Sequence, residues 1–171
     1  MEHYQLLASY NQKINNSLYA ACFNLEEKQL KQNQGAFFES IFGTLNHILL
    51  GDIFWYNRCS PEKYLYDKQD DTGNPIAITS LRQILFDNLD ELYQQRQRMD
   101  HRILQFINGL TPDDVAAEMQ YKNSMGHERK HSLGLALTHW FNHQTHHRGQ
   151  VTALLSQQGV DYGVTDLVLM Q

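Results

Sequence analysis

Cysteine is scarce in this chain of 171 residues: Cys22 and Cys59 are the only two, and they form no CxxC pair. That excludes a disulfide framework and a zinc ribbon, and leaves two buried thiols at rest in a reducing cytosol. Basic runs are missing as well. Lys and Arg number 14 against 19 Asp and Glu, for a net charge of -5, and nowhere do they gather into a track for a phosphate backbone. Direct binding of nucleic acid is therefore not expected. The longest apolar stretch, Ser40 to Trp55, is broken by Asn46, His47 and Asp52 and falls short of a membrane span. The opening MEHYQLLASY has no basic stretch followed by an apolar core, which a secretion signal needs. The expectation is a soluble, cytoplasmic protein without membrane contact.

What is present is enough apolar material for one core. A hydrophobic content of 42% over this length suits a single folding unit, residues 1–171. Leu6, Leu7, Tyr10, Ile14 and Leu18 recur at three- and four-residue steps and predict a first helix with one buried stripe. After a polar break from Lys28 to Gly35, a second helix carries Phe38, Ile41, Phe42, Leu45, Leu49 and Ile53 and ends near Cys59-Ser60-Pro61. Pro61 to Pro75, with DDTGNP inside it, reads as a long loop. Thr79 or Ser80 can cap a long third helix running from Leu81 through Ile84, Leu89 and Met99 to Ile107, which Asn108-Gly109 stops. Between Thr111 and Lys130 the alternation of Ala117, Met119 and Tyr121, with turn residues from Asn123 to Gly126, predicts a short β-hairpin. From about Ser132 a fourth helix follows, with Leu133, Leu137, Trp140, Val151 and Leu155 apolar and Gly159 as its stop. The expected class is all-α, four helices with a hairpin before the last.

Nine histidines is a high count for this length, and His131, His139, His143, His146 and His147 all fall in helix four and its entry. Residues four apart on a helix differ by about 40° in direction and lie about 5 to 6 Å apart, so His143 and His147 can offer nitrogens to one ion. A pair alone also fits a half-solvated helix face. The candidate third ligand is His47, placed in the middle of an apolar helix where an unpaired ring is costly to bury. Gly43 and Gly51 flank it by one turn on either side. Each glycine costs about 1 kcal/mol relative to alanine in a helix, so two on one face mean that the space is wanted, either for an ion and its ligands or for close helix packing.

The string HWFNHQTHHRGQV, His139 to Val151, together with TLNHILLGDIFW, Thr44 to Trp55, resembles the DinB-like, also called YfiT-like, superfamily of bacterial metal-dependent proteins. The resemblance spans nearly the whole chain and keeps family order: an NH dipeptide in helix two, a segment like YKNSMGHER, then NHxxxHRGQ and a TDL near the C-terminus. It implies a four-helix bundle in which one histidine of helix two and two of helix four hold a divalent ion, usually zinc or nickel. By position these are His47, His143 and His147. The resemblance also implies a homodimer, and members that include thiol-dependent S-transferases using bacillithiol or mycothiol, a mycothiol-dependent isomerase, and DNA-damage-induced proteins without an assigned reaction. Gln144 departs from a frequent pattern, standing where a glutamate is often found.

Three neutral imidazoles fill three positions of a tetrahedral ion and leave the fourth open, the arrangement of a catalytic rather than a structural zinc site. Such an ion can lower the pKa of bound water or present a thiol as thiolate. A metalloprotease is excluded, because HExxH needs a glutamate base where this chain has Gln144. The expected function is that of a metal-dependent thiol S-transferase or small hydrolase acting on a small-molecule substrate. The alternative is a metal-containing bundle that binds a ligand or partner without turnover. Around the ligands, His139 lies one turn before His143 and can back them or shuttle a proton, though a hydrogen-bonded interior histidine is the plainer reading. His146 points about 100° away from His147, toward the surface. Arg148 is expected to pair with a carboxylate, Asp52 or Glu39. His127 and His131 are read as a solvated turn, Phe54, Trp55 and Trp140 as core, and Cys59 as an inert thiol.

Overall fold

The structure is a computed structural model, and it describes residues 1–66, 68–69, 73–74, 76–123 and 125–170. Of the expected loop from Pro61 to Pro75, Asp67, Asp70, Asp71, Thr72 and Pro75 lie outside the described residues, as does Ser124 of the expected turn. Four long helices dominate: α1 (Glu2–Cys22), α3 (Ile41–Cys59), α4 (Leu89–Gly109) and α6 (Leu133–Gln157). Two short helices, α2 (Glu27–Lys31) and α5 (Pro112–Ala116), bring the described total to six, and a 3-10 turn closes the chain at Leu167–Met170. The two short ones escape a periodicity reading because a single turn carries no apolar repeat. Their signature is at the caps, with Glu26 and Gln29 bracketing the start of α2 and Thr111 and Asp114 that of α5.

Each long helix packs against two others: α1 on α4 and α6, and α3 on the same pair from the opposite side. Leu18, Leu49, Leu92, Ile103, Leu137 and Trp140 meet in the middle and are at most 1% exposed. Helix α3 differs from the rest in being buried at every position from Ile41 to Ile53. A helix apolar all round belongs inside, which makes any polar side chain on it an interior group. That places Asn46, His47 and Asp52 where they must find partners. No helix among the described residues is long and apolar enough to cross a membrane.

The ends of the helices follow their caps. Ser40 Oγ accepts from Gly43 N–H at 3.0 Å, and Ser132 Oγ accepts from Leu135 N–H at 3.2 Å. Gly159, at φ +72°, turns the chain so that Val160 N–H reaches back to the Leu155 carbonyl at 3.0 Å. The hairpin is present as β1 (Glu118–Lys122) and β2 (Glu128–Ser132), antiparallel with Tyr121 opposite Arg129.

One expected boundary is wrong. Helix α4 starts at Leu89, capped by Asn88, whose side chain accepts from Glu91 N–H at 2.8 Å, and not at Ser80. Leu81 and Ile84, read as the first turn of a buried stripe, lie outside it at 48% and 47% exposure. The reason sits on α3. Asn46 Oδ1 accepts from the backbone N–H groups of Leu85 and Phe86 at 3.0 and 3.1 Å, and its Nδ2 donates to the Phe86 carbonyl. Side chains of a buried helix thus satisfy the backbone that helix hydrogen bonds would otherwise claim, and the segment stays non-helical.

Candidate metal centre

His47 projects from the middle of α3, and His143 and His147 project one turn apart from α6. One nitrogen from each of the three lies within 4.8 Å of the other two, a group that could hold a metal ion. The hydrogen bonds around them fix which nitrogens face inward. His47 Nδ1 lies 3.0 Å from the Leu81 carbonyl, which only accepts, so the proton of the neutral ring sits on Nδ1 and the lone pair on Nε2. His147 Nδ1 lies 2.7 Å from Gln150 Oε1, which makes the same assignment for the second ring. The two Nε2 atoms then face each other at 3.1 Å. Two lone pairs at that separation repel unless a proton or a cation lies between them. Two imidazole nitrogens on a tetrahedral ion at about 2.0–2.1 Å would be roughly 3.3 Å apart, so the donor set fits a metal.

His143 supplies a second sign. Its Nδ1 is buried and has no hydrogen-bond partner among the described residues. The ring lies directly over Gly51, where a Cβ would come within 2.7 Å of its Cε1. Gly51 is thus the floor that lets the third ring approach. Gly43 serves another purpose, since a Cβ there would strike the backbone carbonyl of Phe38. The two glycines divide the readings that sequence left open, one for a ligand ring and one for close packing of the chain. Phe38 itself stacks on His47, ring centroids 3.8 Å apart, and shields that side of the group.

Electrostatics keep the rings neutral. Burial pushes His47 down to about 4, only partly offset by its bond to Leu81, and burial with the neighbouring His147 pushes His143 down to about 4. His147 is lowered by burial as well, against the pull of Gln150. Neutral imidazole is the form that ligates.

Behind the histidines lies a second polar cluster that sequence reasoning did not assemble. Asp52, fully buried one position past Gly51, is paired with Arg96 of α4, which also meets Asp100 at 2.9 Å. Trp140 Nε1 donates to Asp52 Oδ1 at 2.8 Å and Gln144 Nε2 donates to the same oxygen at 2.7 Å, while Asn11 and Asn15 donate to Asp100. Burial raises Asp100 to about 6 despite Arg96. Gln144 now has a physical reason: a glutamate there would set carboxylate against carboxylate. The signal available was Asp52 within an apolar stretch, together with Arg96 and Asp100 spaced four apart on the stripe of α4.

Three expectations about neighbouring residues are corrected. Arg148 pairs with neither Asp52, already committed to Arg96, nor Glu39; it donates to Asn11 and to Thr145 Oγ1. His139 is exposed rather than interior, with its ring 4.8 Å from that of Trp55 and 6.2 Å from that of His143. His131 belongs to β2 and is half-buried, 3.3 Å from the Tyr121 hydroxyl, so it is no solvated turn. His146 is exposed and Trp140 is core, as read. Burial pushes both thiols, Cys22 and Cys59, up to about 12, where they are poor nucleophiles.

A cavity of about 650 Å³ opens onto His47 and His143, with Phe54, Trp55 and His139 in its walls. The two aromatic residues read as core therefore also line the approach to the site. A second cavity of about 700 Å³, beside Tyr56, Cys59 and Met119, contains no histidine and offers no comparable chemistry.

Comparison with known proteins bears on the family and the fold. A curated relative, Protein DinB of Bacillus subtilis, is 26% identical over 160 residues, covering 94% of this chain and 88% of its own length. The crystal structure of a DinB-like protein from Bacillus cereus superposes with a TM-score of 0.57 at 18% identity, covering 95% of this chain and 93% of that one, a likeness of fold. The model of the DinB family matches residues 1–171, and the chain belongs to that family.

Proposed function

We propose that this chain is a metal-dependent enzyme, a thiol S-transferase or small hydrolase, whose ion is held by His47, His143 and His147. The observation that carries the reading is the pair of Nε2 atoms 3.1 Å apart, each on a ring whose other nitrogen is already committed to an acceptor. Zinc or nickel is the ion we favour, in keeping with three nitrogen donors and no cysteine or carboxylate among them. When bound, it would supply a Lewis acid with an open position at which water or a thiol is activated. The residues do the rest. Leu81 and Gln150 hold the His47 and His147 tautomers, Gly51 admits His143, and the buried Asp52 adds negative potential that favours a cation. The fold we assign to it is a four-helix bundle of DinB type over residues 1–171, working as a cytoplasmic homodimer on a small-molecule substrate with a low-molecular-weight thiol as co-substrate.

Elemental analysis of protein purified without a histidine tag tests the ion, with about one equivalent expected in the wild type and under a tenth in His147→Ala. A screen of the loaded protein with bacillithiol and glutathione against electrophiles then tests the reaction. Turnover that survives unchanged in His147→Ala would sink the metal-dependent reading, and no turnover with any thiol would sink the enzymatic one. Tight ligand binding without product would replace it by that of a metal-containing binding protein.

A further inference from the structure

Among the described residues, the charged groups that line the cavity reaching the histidines are of one sign. Arg58 and Lys122 stand in its wall, and no aspartate or glutamate does so among the described residues. This contrasts with a chain whose net charge is -5, which as a whole repels anions. Among the described residues Arg58 is held in place without a counterion. Its guanidinium carbon lies 5.0 Å from the ring centroid of Trp55, 4.9 Å from that of Tyr121 and 5.7 Å from that of Phe54. Stacking on aromatic faces fixes the plane of a guanidinium while leaving its N–H edge free. Among the described residues no carboxylate or carbonyl takes up those N–H groups. Lys122, at the end of β1, is exposed and likewise makes no ion pair there, although Glu128 stands opposite it in the strand register.

Position along α3 turns this into a ruler. His47, Gly51, Phe54, Trp55 and Arg58 all line the cavity and fall at the three- and four-residue steps of one helix face. Eleven residues at about 1.5 Å each separate the histidine from the arginine by roughly 16 Å along the axis. Aromatic wall lies between them.

We propose that this cavity takes an elongated organic anion whose carboxylate is held by Arg58 and Lys122, whose body lies against Phe54 and Trp55, and whose other end meets the histidine group. The planar N–H fork of Arg58 suits a carboxylate. As a statement about a substrate, the inference rests on the proposed metal-dependent activity; as a statement about binding, it does not need it.

The two tryptophans provide the readout. Trp55 lines the cavity, whereas Trp140 is buried with its indole N–H on Asp52, so it serves as an internal control. Benzoate and its uncharged isostere benzamide are titrated against chelator-treated protein and followed by the Trp55 indole N–H resonance. Saturable benzoate binding is expected, at least about tenfold tighter than benzamide, with the preference reduced to about twofold in Arg58→Gln and to an intermediate value in Lys122→Gln. Arg58→Lys, which keeps charge but not the fork, is expected to retain only part of it. Equal binding of the two probes, no saturable shift, or a preference that survives Arg58→Gln overturns the inference. Tighter binding of phenyl phosphate than of benzoate overturns the carboxylate assignment. Metal uptake by the wild type, measured beside this titration, separates the two readings. Intact benzoate preference in wild type that takes up no metal supports this inference and fails the metal reading, whereas metal uptake without the preference does the reverse.

Discussion

Two polar clusters share the interior between α3, α4 and α6, and they differ in how their charges and lone pairs are partnered. Around Asp52, Arg96 and Asp100 the charges alternate, and Trp140, Gln144, Asn11 and Asn15 supply further donors to the carboxylates. Around His47, His143 and His147 no carboxylate joins the group among the described residues, one buried nitrogen lacks a partner there, and two lone pairs are set face to face. The first arrangement is closed by ion pairs among the protein's own residues, although Arg96 Nε and Gln144 Oε1 stay buried without a hydrogen-bond partner among the described residues. In the second, no group of the protein separates the two facing lone pairs. Burial of polar groups is tolerated when they are paired, so lone pairs buried face to face point to a ligand rather than to stability.

The largest effect should come from breaking the closed cluster. Arg96→Met leaves two buried carboxylates uncompensated and is expected to cost about 3–5 kcal/mol, read by urea denaturation of the metal-free protein. A loss under about 1 kcal/mol would mean that the cluster is not closed in the way described. Gln144→Glu brings a third carboxylate against Asp52, for a loss on the order of 1–3 kcal/mol near neutral pH. Protonating one of the facing carboxylates relieves the repulsion, so this deficit should shrink as pH falls. A deficit independent of pH would show that repulsion is not its cause.

The open cluster should respond in ligand affinity rather than in folding. Gly43→Ala collides with backbone and is expected to lower thermal stability, while Gly51→Ala meets the movable ring of His143 and is expected to lower metal affinity at least about tenfold with a smaller stability change. Reversal of that order, by melting and metal titration side by side, would mean that Gly51 is a packing glycine after all. A separate effect is pH dependence of the metal-free fold. His47 and His143 are lowered in the folded state to about 4 from an ordinary 6.5, so the unfolded chain takes up protons first. The stability they contribute is present above about 6.5 and is lost as pH falls through about 4. Melting temperatures at graded pH, compared with His143→Ala, should show the wild type losing more over this window; an identical loss would remove His143 from the account.

Residue pattern alone carried the long helices, the hairpin and the last cap, because apolar spacing, cap residues and glycine stops act over a few residues of chain. It also carried the identity of the three histidines, through an i,i+4 pair on α6 and one polar ring in a buried helix. It missed two single-turn helices, whose only mark is a cap, and misplaced the start of α4. There the apolar repeat from Leu81 continued smoothly into the helix, and only Asn46, reaching across from α3, held the backbone of Leu85 and Phe86 out of it.

What the tertiary structure decided is which polar group meets which. Nothing in the spacing of Asp52, Arg96, Gln144 and Arg148 says that Arg96 rather than Arg148 neutralises Asp52, or that Gln144 must be an amide. Those pairings depend on which faces of α3, α4 and α6 are brought together, across sequence separations that no local rule spans. The same holds for the Leu81 carbonyl that orients His47 and for Arg58 in the wall of its cavity. The sequence determined that three histidines would be placed inside the protein. Packing determined that they would be neutral, oriented and left one partner short.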